Sequence, residues 1–208
     1  MMEPVALPLL KQHLRISHNQ QDVYLSSLIS TAREQVEADT WRALVPITGR
    51  TVTRRSFPAA DEALYLPKPP LRGITSVTYT AADGTTKTLT GFRFDLVHEP
   101  GSIEPAWPLP WPFTLDGPAS VTVVYDCGYA TPDDVPSSLK HAILLIAAEL
   151  YEHAEPVEIK SNSTLDRLCR PYRVRNAAML ETIWTPKTIT PKYPNAFGLW
   201  SGNSLGGV

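Results

Sequence analysis

Cysteine is scarce in this chain of 208 residues: Cys127 and Cys169 are the only two, far apart and outside any CxxC spacing. That speaks against a disulfide framework or a thiolate metal centre and for two buried thiols. Long apolar runs are lacking as well. The longest, 142–148, is seven residues, against the roughly 20 that a membrane-spanning helix needs. Residues 1–10 have neither a basic start nor a long apolar run and include Glu3, so they do not read as a secretory leader. The expectation is a chain made in a cytosol, with no membrane partner. An excess of one charge is missing too: 19 Lys and Arg stand against 21 Asp and Glu. No global basic field draws the chain onto nucleic acid, and any contact with DNA has to be local or passive.

Catalytic signatures are equally thin. The sequence has no GxSxG elbow, no phosphate loop and no HExxH. Glu149 and His153 are spaced to share a helix face, and His13 and Asn19 can meet loosely across a turn. Both pairs read better as solvated surface, as do His98 and His141. No cofactor, metal or catalytic residue is assigned, and the chain is not expected to be an enzyme.

What is abundant is proline, 20 residues, gathered at 67–70, 105–112 and 186–194. Each cluster removes amide donors and fixes φ, so these stretches read as loops or arms. Between them the apolar period changes. Residues 7–14 predict a short helix. Over 19–43, Leu25, Leu28, Ile29, Ala32 and Val36 recur at helical spacing, with Asn19 as cap and Asp22 in the first turn. From 46 the period is two, and strands are predicted over 51–57, 63–66, 74–80, 86–89, 92–96 and 120–125. Asp83-Gly84 sits between two of these runs and is a good hairpin signal, because both turn positions can need positive φ. Helix returns over 135–153, where Pro136 fits the first turn. Its apolar residues spread over more than one face, so either it is the central helix of its bundle or it meets another subunit. A further segment, 163–172, opens on a near capping box, Ser163 to Asp166. It lines up Leu165, Leu168, Cys169 and Tyr172 on one face, and Pro171 should end or bend it.

The fold class expected is α+β: a mainly α-helical bundle built from N- and C-terminal helices, with an inserted small antiparallel β domain and an extended C-terminal tail. The divisions expected are 1–45 and 131–175 for the bundle, 46–130 for the β region and 176–208 for the tail. The tail shows no periodic face and carries isolated aromatics, Trp184, Tyr193, Phe197 and Trp200, expected to order on a partner.

Two groupings suit contacts. Trp107, Trp111 and Phe113 lie in a stretch of alternating prolines that either packs on the sheet as a plug or stays exposed as a subunit contact. Arg167, Arg170, Arg173 and Arg175 place several guanidiniums close together, able to meet an acidic partner or DNA, although a plain solvated face is the simpler reading.

Taken in order, these residues resemble a known family. Leu9-Leu10-Lys11-Gln12-His13-Leu14-Arg15-Ile16, then 22–28 and 32–40, then Leu66-Pro67-Lys68-Pro69-Pro70-Leu71 before Ile74–Tyr79 and Asp83-Gly84, are similar to the head-tail connector (adaptor) proteins of tailed bacteriophages. Val121–Tyr125 with Gly128-Tyr129, Val135-Pro136 and Pro171-Tyr172-Arg173-Val174 continue the likeness, which spans roughly 5–175. Trp41 departs from it, because many relatives carry Gly there. What the resemblance implies is a structural virion protein. Its copies would form a closed ring, typically a dodecamer, below the portal protein and above a head-completion or tail protein, with genomic DNA passing through the lumen unread. Two rival readings are an enzyme acting on nucleic acid or cell wall, on the strength of the arginines, and a ligand-binding β domain built around Trp107 and Trp111.

Overall fold

The structure is a computed structural model and describes residues 2–59, 62–106, 109–153 and 163–174. Among these residues four α-helices and two antiparallel sheets make an α+β fold.

Helix α1, Leu7–Leu14, coincides with the sequence reading. Helix α2 is shorter than expected, Asp22–Thr40. Asn19 does not cap it; its Oδ1 accepts from Lys11 Nζ at 2.5 Å, and Gln21 holds the cap position. The stripe Leu25, Leu28, Ile29, Ala32 and Val36 is buried throughout, each large aliphatic side chain adding about 1.5–3 kcal/mol by leaving water. Trp41 ends the helix in the left-handed conformation, φ 59° and ψ 27°. That is the backbone geometry that favours glycine at a helix end, so the departure at Trp41 changes the side chain and not the way the helix stops.

Among the described residues the β region holds seven strands: β1 Ile47–Arg54, β2 Leu64–Tyr65, β3 Leu71–Thr80, β4 Thr86–Thr88, β5 Phe92–Asp95, β6 Ser102–Pro105 and β7 Val121–Cys127. Sheet order is β1-β7-β3-β4 in one and β2-β6-β5 in the other. Strand β6 lies outside the strands that the sequence predicts because it runs into the proline cluster, yet Ile103 within it is fully buried. The hairpin signal at Asp83-Gly84 falls between β3 and β4, which pair antiparallel. Of the Asp83-Gly84 pair only Gly84 has positive φ, +80°, and the Gly84 amide donates to the Ala81 carbonyl at 2.9 Å. The connection is therefore a longer loop with glycine at its left-handed position. Asp83 supports it by accepting from the Thr85 amide and hydroxyl at 2.9 and 2.6 Å.

Along β7 burial alternates strictly, with Val121, Val123, Tyr125 and Cys127 inside. They pack with Leu64 and Ile103 of the smaller sheet, with Leu66 just after β2, and with Phe57 and Trp111. The helices keep a separate core. Helix α3, Ser137–His153, starts two residues later than read, after a 3-10 turn Pro132–Asp134. Helix α4, Thr164–Cys169, gives way at Pro171 to a 3-10 turn, Arg170–Tyr172. Ser163 accepts from the Asp166 amide at 3.2 Å, as its spacing predicts.

Helix α3 touches α1, α2 and α4. Its Leu139, Ala142, Ile143, Leu144, Ile146 and Ala147 are buried, with Leu150 and Tyr151 packed against the same cluster. The chain's own helices thus cover most of this wide apolar surface, while Leu145 and Ala148 stay partly exposed. Cys127 lies in the sheet core and Cys169 in the helical one, both as free buried thiols.

Candidate interaction surfaces

The two cores meet where the chain leaves α2. There the Ala43 amide donates to the Pro69 carbonyl at 3.0 Å, Gly128 to Pro70 at 2.8 Å and Val174 to Thr40 at 3.1 Å. Arg42, 6% exposed, lies between them. Its guanidinium donates to the Tyr172 carbonyl and to Glu99, which belongs to the loop between β5 and β6. Burial works against its charge, but Glu99 and the Tyr129 hydroxyl outweigh it and hold its pKa above the ordinary value. A second buried guanidinium, Arg33, is held by Glu3 at 2.9 Å and Glu37 at 2.8 Å, and pairs with Glu34 at the surface. Glu37 in turn accepts from the Leu44 amide at 2.6 Å. These networks fix the geometry on which the surfaces ride.

Of the proline-aromatic loop, Trp107 lies outside the described residues. Trp111 is 7% exposed, stacks on Phe57 with centroids 4.7 Å apart and donates from Nε1 to the Glu62 carbonyl at 2.9 Å. It plugs the sheet core. Phe113, two residues on, is 91% exposed, with Leu109 and Leu115 exposed beside it in sequence.

Among the arginines, Arg173 is committed inside the subunit. It donates to both Asp39 oxygens at 3.0 and 2.7 Å and to Asp166 at 2.6 Å, and these carboxylates, Asp39 first, raise its pKa. Arg167 and Arg170 face solvent on α4 and the turn after it. Arg175 and the tail aromatics Trp184, Tyr193, Phe197 and Trp200 lie outside the described residues.

The histidine pairs behave as surface groups. Glu149 and His153 form an exposed pair at 3.3 Å, and His98 pairs with Asp95 at 2.6 Å. His13 does not meet Asn19; its ring lies edge-on to that of His141, 6.4 Å between centroids. Among the described residues no group of three or more His, Cys, Asp or Glu side chains is placed to hold a metal ion.

Sequence reasoning missed one surface. Leu9, Val23 and Tyr24 are exposed, Val23 at 88%, on the helices that border an open groove of about 410 Å³ lined by Leu7, Pro8, Ile16 and the Lys11–Asp22 ion pair. The signal was available: Val23 is a β-branched residue off the Leu25–Val36 stripe.

Residues 6–79 match the model of the phage gp6-like head-tail connector protein family. The head-tail connector resemblance is thereby shown over that stretch, which holds α1, α2, β1, β2 and most of β3. No curated protein matches the chain. Among solved structures, a chain from the neck of an empty gene transfer agent particle, computed with C6 symmetry, superposes with a TM-score of 0.64 at 21% identity, over 82% of this chain and 90% of that one. A chain from the virion of the native particle gives 0.66 at 20% identity with the same coverage. One from the native neck, computed with C12 symmetry, gives 0.60 at 22% identity over 84% and 96%. At these identities the likeness is one of fold, and it runs through the helical and β parts alike.

Proposed function

We propose that this chain is a structural, non-catalytic virion protein, an adaptor whose copies close into a ring at the head-tail junction. The observation that carries this reading is the coincidence of two independent likenesses. The connector family signature lies in 6–79, and a fold covering four fifths of the chain is shared with proteins of particle necks. In this reading the ring has twelve members, docks below the portal protein and receives a head-completion or tail protein on its other side. Genomic DNA crosses the lumen without sequence readout, and assembly takes place in the host cytoplasm. The helical stretches 1–45 and 131–175 act as one unit, with 46–130 as the inserted β unit. Residues 176–208 are the arm that reaches the portal through Trp184, Tyr193, Phe197 and Trp200. A short arm ordering on its target can bury much apolar area from few residues. Arg167 and Arg170 offer exposed cations to an acidic neighbour.

The test is direct. Purified protein, alone and mixed with portal, is imaged by negative stain and weighed by mass photometry. Closed rings that cap the portal are expected, and removal of 177–208 should leave a folded chain that no longer caps it. A chain that stays monomeric and ignores the portal overturns the reading.

A further inference from the structure

Among the described residues a protruding aromatic and an unfilled groove occupy different surfaces of the same subunit. The aromatic is Phe113, and its backbone is pinned on both sides. Trp111 before it is locked in the sheet core by its stack on Phe57. Thr114 after it bridges Ala81, and the Leu115 amide donates to the Thr80 carbonyl at 3.0 Å. A side chain held out by a rigid backbone has little conformational freedom left to lose on docking, which favours it as an anchor.

The groove is the one between α1 and the start of α2, about 410 Å³, within the range of about 300–1,000 Å³ that accommodates small ligands and ample for one benzyl group. Leu7, Pro8 and Ile16 give it apolar walls, while Lys11 and Asp22 satisfy each other at 2.8 Å. An aromatic ring entering it strands no charge. The surroundings are of opposite sign. Beyond the Lys11–Asp22 pair the groove edge carries the exposed cation Arg15, next to Ile16 of the lining, whereas 109–117 carry Asp116 and no base. Asp116 pairs with Arg55 at 3.2 Å, both largely exposed, and such a pair leaves a carboxylate able to meet a second cation.

We propose that Phe113 of one subunit seats in the α1–α2 groove of the next, so that the groove's partner is a second copy of this chain. The inference rests on the ring reading above and assigns its contact. Because knob and groove are different surfaces, the contact is head-to-tail, the type that generates a closed ring when the rotation closes.

The experiment uses the full chain carrying Gln12→Cys, which lies in the groove lining, together with Phe113→Cys, treated with a short bis-maleimide. The native thiols are buried and stay silent. A ladder of covalent oligomers on a denaturing gel, absent from either single variant, is the expected result. In parallel, Phe113→Ala should raise the protein concentration needed for half-assembly at least tenfold while leaving the melting temperature of the subunit unchanged. Rings that form in mass photometry but give no ladder, with Phe113→Ala assembling like the parent, overturn the contact and spare the ring. Protein that never leaves the monomer overturns both.

Discussion

The α-carbon of Gly128 lies so close to the Val45 carbonyl that a Cβ built on it would sit 2.0 Å from that oxygen. Its φ of +88° is also a conformation that side chains of L-residues rarely adopt. Two independent reasons therefore require glycine at the joint between β7 and the exit from α2. Gly128→Ala should cost about 3 kcal/mol or more, since backbone has to move and the strained φ remains, which lowers the melting temperature by roughly 10 °C. Gly73→Ala, where φ is ordinary and nothing lies within 4 Å of the added carbon, is the control and should shift it by no more than about 2 °C. Equal losses from the two variants would contradict the close approach.

Arg42 offers a second test of the same joint. Its guanidinium ties Glu99 of the β region to the Tyr172 carbonyl at the end of the helical region. Arg42→Met keeps the aliphatic stem and removes the charge, leaving Glu99 and a backbone carbonyl without their donor. Because Glu99 is partly solvated, with 36% of its side chain exposed, the loss should be about 2–3 kcal/mol, less than for a fully enclosed pair. Adding Glu99→Gln to Arg42→Met should cost less than the sum of the two single changes, as a double-mutant cycle by chemical denaturation will read out. Strict additivity would mean that the pair does not couple.

The parts of this fold that were legible in the sequence are those governed by local periodicity. Leu7–Leu14 and the buried stripe of α2 follow from spacing alone, and so does the Ser163 cap. What stayed hidden depends on partners distant in sequence. Arg42 reaches 57 and 130 residues along the chain for its partners, and nothing near it announces either. Strand β6 hides behind Pro105 because an edge of the proline cluster is itself paired, Phe92 opposite Pro105. The breadth of the apolar surface on α3 suggested an intersubunit contact as readily as an internal one, since periodicity reports how much surface is apolar and not who covers it. In the proline-aromatic loop, Trp111 and Phe113 look alike in sequence, and only the stack on Phe57 separates the plug from the exposed ring.

Both thiols should behave as core groups in solution. Burial, the largest cause in each case, pushes Cys127 and Cys169 up to about 11 from an ordinary 9.0. For an acid whose folded pKa is raised, the folded state keeps its proton while the unfolded state loses it. The corresponding stability is therefore fully present below about pH 9 and is lost progressively as pH rises toward about 11. Replacing each thiol by alanine should flatten this alkaline fall in the denaturation midpoint. A thiol reagent at pH 8 should label neither cysteine in the native chain and both in denaturant. Rapid labelling of the native protein, or an alkaline fall unchanged by the replacements, would show that the thiols are not enclosed.

Trp41 allows backbone and side-chain effects to be separated by a single comparison. The residue sits at φ 59°, and its ring lies 5.9 Å from the Lys68 ammonium, whose Nζ also donates to the Glu37 carbonyl at 3.2 Å. Removing the indole loses that cation contact, worth about 0.5–1 kcal/mol at an exposed site, together with the ring's packing. Trp41→Ala suffers this loss and retains a Cβ in the left-handed region; Trp41→Gly suffers the same loss but relieves the backbone. Both variants should be less stable than the parent, with glycine the better of the two by about 1 kcal/mol. Matched thermal melts measure the difference directly, and an alanine variant at least as stable as the glycine one would mean that the chain does not end α2 in the left-handed conformation in solution.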